Sequence, residues 1–296
     1  MKVHINCFPC FFKQAIIAAR LGTKDEALQA TILKGITEGI KDTDMSKPPA
    51  YSTTFMHRKI RQLMAKDPFK DIKSEYNQVA LSLYPELRER VFQSVDPLWT
   101  AARLAIAGNI IDFGIFSSVD IIGAIERALS GPVTVDHFTQ FKRSVENNDE
   151  VFYLLDNAGE IVFDRLLIEV LKDMGKKVTA AVKGFPVLND VTAVDAAETG
   201  LNEVCAIVDN GSDCIGTILE MTSPDFNHLV ENSAFIISKG QGNLETLGCT
   251  CGDSSLSSSK EIFFLLQAKC DVISKELGLS RGSMLLLSSE HLPDNW

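Results

Sequence analysis

The chain has 296 residues, 45% of them hydrophobic, and a formal net charge of −10. That length can bury a substantial core in one or two domains, and no apolar run approaches the roughly 20 residues that span a bilayer. The acidic balance argues against general binding of nucleic acid, whose phosphates recruit basic surfaces, but leaves room for a small anionic substrate held by a local cation. The opening "MKVHINCFPCFFKQAIIAARLG" has too short an apolar stretch and too early a pair of cysteines for a secretory signal, so a cytoplasmic protein is expected.

From residue 9 to about 128 the pattern is helical. Thr23 and Glu26 carry a capping-box signature, after which Leu28, Ile32, Leu33, Ile36 and Ile40 recur at helical spacing. Pro48 and Pro49 break the pattern, and helices are expected over 53–64 and 72–91. Asp96 and Pro97 have the form of a cap and first residue for the next helix. No strand is expected in residues 1–145, which form a helical domain in this reading. From Asp149 the rhythm alternates. Strands are expected at 151–155, 177–182, 203–208, 234–238 and 261–267, with 282–288 a sixth or an edge hairpin. Helices are expected over 160–174, over 191–200 and from Ser223 onward. Apolar strands alternating with helices predict a parallel sheet covered on both faces. Residues 146–296 therefore read as a Rossmann-like three-layer domain, and the fold class as α/β.

In such sheets ligands bind beyond the carboxyl ends of the strands. Asp156 and Asn157 follow the first expected strand, in "LLDNAGEIVFD". Lys183 and Asp190, in "KGFPVLND", follow the second; "DNGSD" (209–213) follows the third; and Lys239 with Asn243, in "SKGQGN", follows the fourth. Any one of these fits a turn, because Asp, Asn and Gly dominate turns. Their repetition along one edge reads as the chemistry of a metal-bound anion. Asp and Asn supply hard oxygens of the kind Mg²⁺ or Mn²⁺ accepts, although Asp156 or Asn157 would also serve to cap the next helix. Gly159 lets the backbone approach closely, and the helix beginning there points its N–H groups where a phosphate would sit. Glu160 either orients an attacking water or is a favourable first-turn acid. Lys239, beside Gly240 and Gly242, would reach phosphate oxygens as a point charge; Lys183 is a weaker candidate for the same task. Asn243 bonds the substrate or supports the loop. Asn109 and Asp112, three apart at a helix end, face the site or cap the helix. Asp164, one turn beyond Glu160, fits a solvated face equally well and is not counted.

Those four stretches together resemble the DUF89 family, the metal-dependent damage-control phosphatases, and the similarity runs through the whole chain. "AGNIIDFG" (107–114) and "CFPC" resemble its prokaryotic and archaeal branch. The resemblance implies hydrolysis of a small phosphorylated metabolite such as a sugar phosphate, a nucleotide or a phosphopantetheine-type compound. It implies a divalent metal (Mn²⁺, Mg²⁺, Ni²⁺ or Co²⁺) held by Asp156, Asn157 and Asp190, and gives Asn109 and Asp112 a place in the site. Metal-activated water is preferred to Asp156 as the nucleophile, because "DNAGE" lacks the second Asp of the "DxDGT" phosphatase pattern. An S-adenosylmethionine-dependent carboxyl methyltransferase is the alternative; the single glycine of "DNAGE" disfavours it. A non-catalytic nucleotide-binding module is disfavoured by the convergence of Asp156, Asn157 and Asp190.

Seven cysteines, an odd number, do not suit a disulfide framework. Cys205 and Cys214 read as small core residues. Cys7 and Cys10 either pack as free thiols or meet Cys249, Cys251 or Cys270 around zinc or iron. None of the five histidines falls at an expected strand end, which argues against a zinc hydrolase and a Ser–His–Asp hydrolase. "GDSSLSSSK" (252–260) is expected to be a mobile loop.

Overall fold

A computed structural model describes residues 1–110, 121–250, 260–293 and 296. Asp112, Cys251 and most of the serine-rich stretch lie outside the described residues, as does the side chain of Asn109. The first half carries helices α1 (Phe8–Gly22), α2 (Glu26–Lys41), α3 (Pro49–Met64), α4 (Lys70–Phe92), α5 (Pro97–Ile110), α6 (Ile121–Ser130) and α7 (Phe138–Asn147). A two-residue strand, β1 (Val135–Asp136), precedes α7. It was not expected, since two residues are too few to show strand alternation.

The caps explain where these helices begin. Asp25, not Thr23, caps α2: its Oδ1 accepts from the N–H groups of Ala27 and Leu28 at 2.9 and 3.3 Å. Thr23 Oγ1 instead accepts from Asp25 N at 3.1 Å. Pro49 opens α3 rather than holding it back to residue 53, because a proline at the first helical position gives up an N–H that has no helical partner there. Asp96 caps α5 as expected, accepting from Trp99 N at 3.0 Å.

The second half alternates: β2 (Glu150–Leu154), α8 (Glu160–Asp173), β3 (Lys177–Val182), α9 (Ala193–Glu198), β4 (Ala206–Asp209), α10 (Pro224–Asn232), β5 (Phe235–Lys239), α11 (Gly240–Leu247), β6 (Glu261–Gln267), α12 (Asp271–Glu276) and β7 (Met284–Ser288). The described strands form one seven-stranded sheet in the order β1-β7-β6-β5-β2-β3-β4. Strands β2 to β6 are mutually parallel, and β7 runs against β6. The fold class is thus α/β with a mostly parallel sheet. The chain steps outward from β2 to β3 and β4 on one side, and to β5 and β6 on the other. The topological switch therefore lies between β2 and β5.

Alternate side chains of β2 enter opposite cores. Val151, Tyr153 and Leu155 join buried residues of α4, α5, α7 and α8. Phe152 and Leu154 join Phe11, Ile32, Ile36 and Ile60 from α1, α2 and α3, with Leu244 and Leu247 from α11. Each core thus draws on both halves of the chain. No described helix is long and apolar enough to cross a membrane.

Phe141 pins α7 to the sheet, its ring centroid 5.3 Å from that of Phe263 and 6.0 Å from that of Phe235. It is fully buried. Phe141→Ala is expected to lower stability by about 3–5 kcal/mol, through lost transfer energy plus the cavity left behind. Urea denaturation measures this, and a loss under about 1 kcal/mol would mean that the cluster collapses around the gap.

Candidate active site

The residues after β2 and β5 meet at the switch point. Gly240 adopts φ +78°, and a Cβ there would collide with the Asp156 carboxylate. Only glycine lets the β5–α11 turn pass so close. Asn157 forms an antiparallel bridge with Asp190, which brings the β2 and β3 loops side by side. Val191 N donates to Asp156 O at 2.9 Å and Ala158 N to Asn189 O at 2.8 Å. Asn157 Nδ2 donates to Asp156 Oδ2 at 2.7 Å and to Glu160 Oε2 at 3.2 Å. Those bonds fix Asn157 among the carboxylates and leave its side-chain oxygen as an acceptor.

Asp156, Glu160 and Asp190 form one acidic group. Burial, then the charges of Glu160 and Asp190, hold the Asp156 carboxyl well above the usual range. Burial also raises Asp190, against the pull of Lys183. The Asp190 Oδ2 is buried without a hydrogen bond and lies 3.4 Å from Lys183 Nζ. Lys183 Nζ also donates to the carbonyl of Gly216. A buried oxygen left without a hydrogen bond, near a carboxyl that burial and its acidic neighbours hold protonated, is the environment a hard cation relieves. Among the described residues no three His, Cys, Asp or Glu side chains form a ready cage. The oxygens of Asp156, Asn157 and Asp190 fit a divalent ion that keeps several waters.

Lys239 departs most from its expected role. It is fully buried, and its Nζ donates to Glu160 Oε1 at 2.5 Å, Asp164 Oδ1 at 2.6 Å and Ala105 O at 2.8 Å. An ammonium has three hydrogens, so none is left for a phosphate oxygen. Burial alone would lower its pKa, but the Asp164 and Glu160 carboxylates outweigh that and raise it. Asp164 is therefore no solvated residue. It is completely buried, accepts from Tyr153 Oη at 2.7 Å, and is pushed up to about 7 by burial despite Lys239. The Gly159 amide, expected to face a phosphate, donates to Asn77 Oδ1 at 2.8 Å. Asn243 supports the loop: its Nδ2 donates to Lys239 O at 2.8 Å and Leu155 O at 3.3 Å, and its Oδ1 accepts from Thr217 Oγ1 at 2.8 Å.

Several contributors escaped sequence reasoning. Asn77 and Lys73, on α4, hold Asp195 at 3.1 and 2.7 Å. Asp195 in turn accepts from Thr192 N at 2.8 Å just after the Asp190 loop. The signal was a Lys and an Asn four apart within the apolar stripe of Ile72, Tyr76 and Ala80. Asp213 of "DNGSD" is gripped by Arg58 and Arg61 of α3. Lys269, two residues past β6, extends the pattern of strand ends to a fifth strand. Its charge favours the ionised form of Asp156, and its backbone N donates to Gln241 Oε1 at 3.2 Å.

A cavity of about 550 Å³ adjoins the site, lined in part by Gln14, Gln241, Gly242 and Lys269. Cys7, Cys10 and Cys270 share it. Cys7 and Cys270 are free thiols pushed up by burial. Cys214 is fully buried, as expected of a core residue, while Cys205 is only partly buried. Glu245, on the same wall, is pushed up to about 7 by burial and accepts from Gln241 Nε2 at 2.8 Å.

With this geometry in hand, comparison with known proteins places the chain. The model of the damage-control phosphatase ARMT1-like domain matches residues 3–285. The chain belongs to this family, which is DUF89. It is 35% identical over 294 residues to an uncharacterized protein of Methanocaldococcus jannaschii, covering 97% of this chain and 95% of that one. It is 30% identical over 292 residues to a damage-control phosphatase of Archaeoglobus fulgidus, covering 96% of this chain and 98% of the relative. The crystal structure of a DUF89 family protein from Pyrococcus horikoshii superposes with a TM-score of 0.88 at 27% identity, over 98% of this chain and 99% of that one.

Two outcomes follow from these contacts. Lys239→Ala strands Glu160 and Asp164 as buried charges, so stability should fall by about 3–5 kcal/mol in urea denaturation. An unchanged stability would mean that the lysine is not fastening these carboxylates. Glu245 gives a pH signature. Its folded pKa of about 7 exceeds the ordinary 4.5, so the folded chain holds a proton that the unfolded chain releases. That contribution is complete below pH 4.5 and is lost as pH rises through 7. Glu245→Gln should match wild type near pH 4 and exceed its stability by up to about 3 kcal/mol at pH 8. Parallel stability curves would refute the assignment.

Proposed function

We propose that the chain is a metal-dependent phosphatase that hydrolyses a small phosphorylated metabolite. The observation that carries this reading is the acidic group of Asp156, Glu160 and Asp190 at the switch point, with Asn157 locked beside Asp156 and Glu160 and with an Asp190 oxygen buried without a hydrogen bond, 3.4 Å from Lys183 Nζ. Two relatives, from Archaeoglobus fulgidus and Pyrococcus horikoshii, carry the name damage-control phosphatase, which supports the same reading. Asp156, Asn157 and Asp190 would hold the divalent ion. That ion would neutralise the phosphate's charge and make its bound water more acidic.

The chain's own residues divide the remaining work. Glu160, held from one side by Lys239 and from the other by Asn157, orients the attacking water and receives its proton. Water oxygen bonds to phosphorus, the ester P–O bond breaks, and the leaving alcohol takes up a proton. Lys239 acts through Glu160 as a positioning residue. Lys269, at the end of β6, is placed to receive a phosphate oxygen as a point charge. Asn243 and Thr217 keep the β5–α11 turn in position.

The test is release of phosphate from p-nitrophenyl phosphate and a panel of metabolite phosphates. Chelated protein receives Mg²⁺, Mn²⁺, Co²⁺ or Ni²⁺, beside Asp156→Ala. Turnover should return with metal and remain at the metal-free level in the variant. Folded protein that releases no phosphate with any of the metals would sink the reading for these substrates.

A further inference from the structure

β7 runs against β6, and so against the direction shared by β2 to β6. The chain therefore enters β7 at the edge where β2 to β6 end, so the residues just before it belong to the side on which ligands bind. Backbone hydrogen bonds fix this juxtaposition. Ala268 N donates to Ser283 O at 2.9 Å and Gly282 N to Ala268 O at 2.8 Å, while Gln267 Nε2 donates to Gly282 O at 2.9 Å. Arg281 thus stands across a tight pairing from Lys269, and both line the cavity of about 550 Å³ that Gln241 and Gly242 of the β5–α11 turn also line, next to the Gly240 that abuts Asp156. That volume lies within the range of small-molecule sites, roughly 300–1,000 Å³.

Neither Arg281 nor Lys269 makes an ion pair with a described residue, and Arg281 is exposed at the cavity mouth. The two acids on the same wall do not satisfy them: Glu245 is hydrogen-bonded to Gln241 and Asp271 opens α12. Lys269, partly buried, sits towards Asp156; Arg281 is the outer cation. An Arg fork at a cavity rim matches a carboxylate or phosphate in geometry as well as charge. Gln14, on the same wall, supplies an amide suited to a hydroxyl group.

Building on the phosphatase reading, we infer that the substrate is a phosphomonoester bearing a second acidic group, and that Arg281 receives that group while the ester phosphate sits beside Asp156 and Lys269. Loss of Arg281 then costs the second anion and leaves discrimination between sugars to the rest of the cavity.

The experiment compares kcat/KM for pairs that differ by one acidic group: fructose 1,6-bisphosphate against fructose 6-phosphate, and 6-phosphogluconate against glucose 6-phosphate. Wild type, Arg281→Ala and Arg281→Lys are assayed with the activating metal. The ratio within each pair is read, so that any general loss in a variant cancels. Wild type should favour the doubly acidic member of at least one pair by about 10- to 100-fold, the strength of one or two charge-assisted hydrogen bonds. Arg281→Ala should bring that ratio near one, and Arg281→Lys should keep part of it. The two pairs separate a second phosphate from a carboxylate as the group received. A wild-type ratio near one in both pairs, or a preference that survives Arg281→Ala, overturns the inference. Should wild type hydrolyse neither these esters nor p-nitrophenyl phosphate, the phosphatase reading itself has failed. Calorimetric binding of the four compounds then decides: tighter binding of the doubly acidic members that Arg281→Ala abolishes supports the second-anion site, and equal binding removes it.

Discussion

The architecture of the site hangs on one buried cation. Lys239 ends β5, caps no charge of its own helix, and reaches across to Glu160 and Asp164 on α8 and to the carbonyl of Ala105 on α5. Burying three ionised groups is costly, and such clusters are weak evidence for stability. Their effect here is geometric. With all three ammonium hydrogens committed, Glu160 has one place to stand, and that place is beside Asn157 and Asp156. The ion cluster converts a helix terminus into a carboxylate of fixed position.

The switch between β2 and β5 supplies the space. Where the chain steps outward in both directions, no crossover covers the strand ends, and a crevice results. The crevice is narrow enough that Gly240 cannot carry a side chain without striking Asp156. A second close approach occurs at Gly184, where a Cβ would stand 2.9 Å from the backbone of Gly211 and Ser212. Glycines thus set how tightly the loops after β2, β3, β4 and β5 assemble, and the polar residues follow the backbone into place.

What could be read from the sequence was whatever short-range pattern carries. The strands ran within a few residues of their expected spans, because fully apolar segments between turn residues leave few alternatives. The collection of Asp, Asn, Lys and Gly at strand ends was visible for the same reason. The partners of those residues were not. Lys239 pairs with side chains 79 and 75 positions away, and nothing local announces that it turns inward. Asp164 was legible in principle: its helical neighbours Ile161, Leu167 and Ile168 are apolar and buried, so the stripe it sits on could not be solvated. Arg281 was hidden by topology, since only an antiparallel β7 brings the start of a strand to the binding edge.

The helical half does more than cover the sheet. Helix α4 reaches two of the site's loops with one side chain, since Asn77 accepts from Gly159 N and donates to Asp195. Helix α3 grips the loop after β4, through Arg58 and Arg61 on Asp213 and through Thr54, whose Oγ1 accepts from Ile215 N at 3.0 Å. Helix α5 supplies the carbonyl that completes Lys239. These contacts fall on loops that a parallel sheet alone would leave tethered only at their ends. Carboxylates gathered this closely would drift apart on mobile loops, because separation relieves their repulsion. Held from α3, α4 and α5, they stay close enough for a cation to gain from binding among them, and the chemistry proposed for the strand ends depends on that restraint.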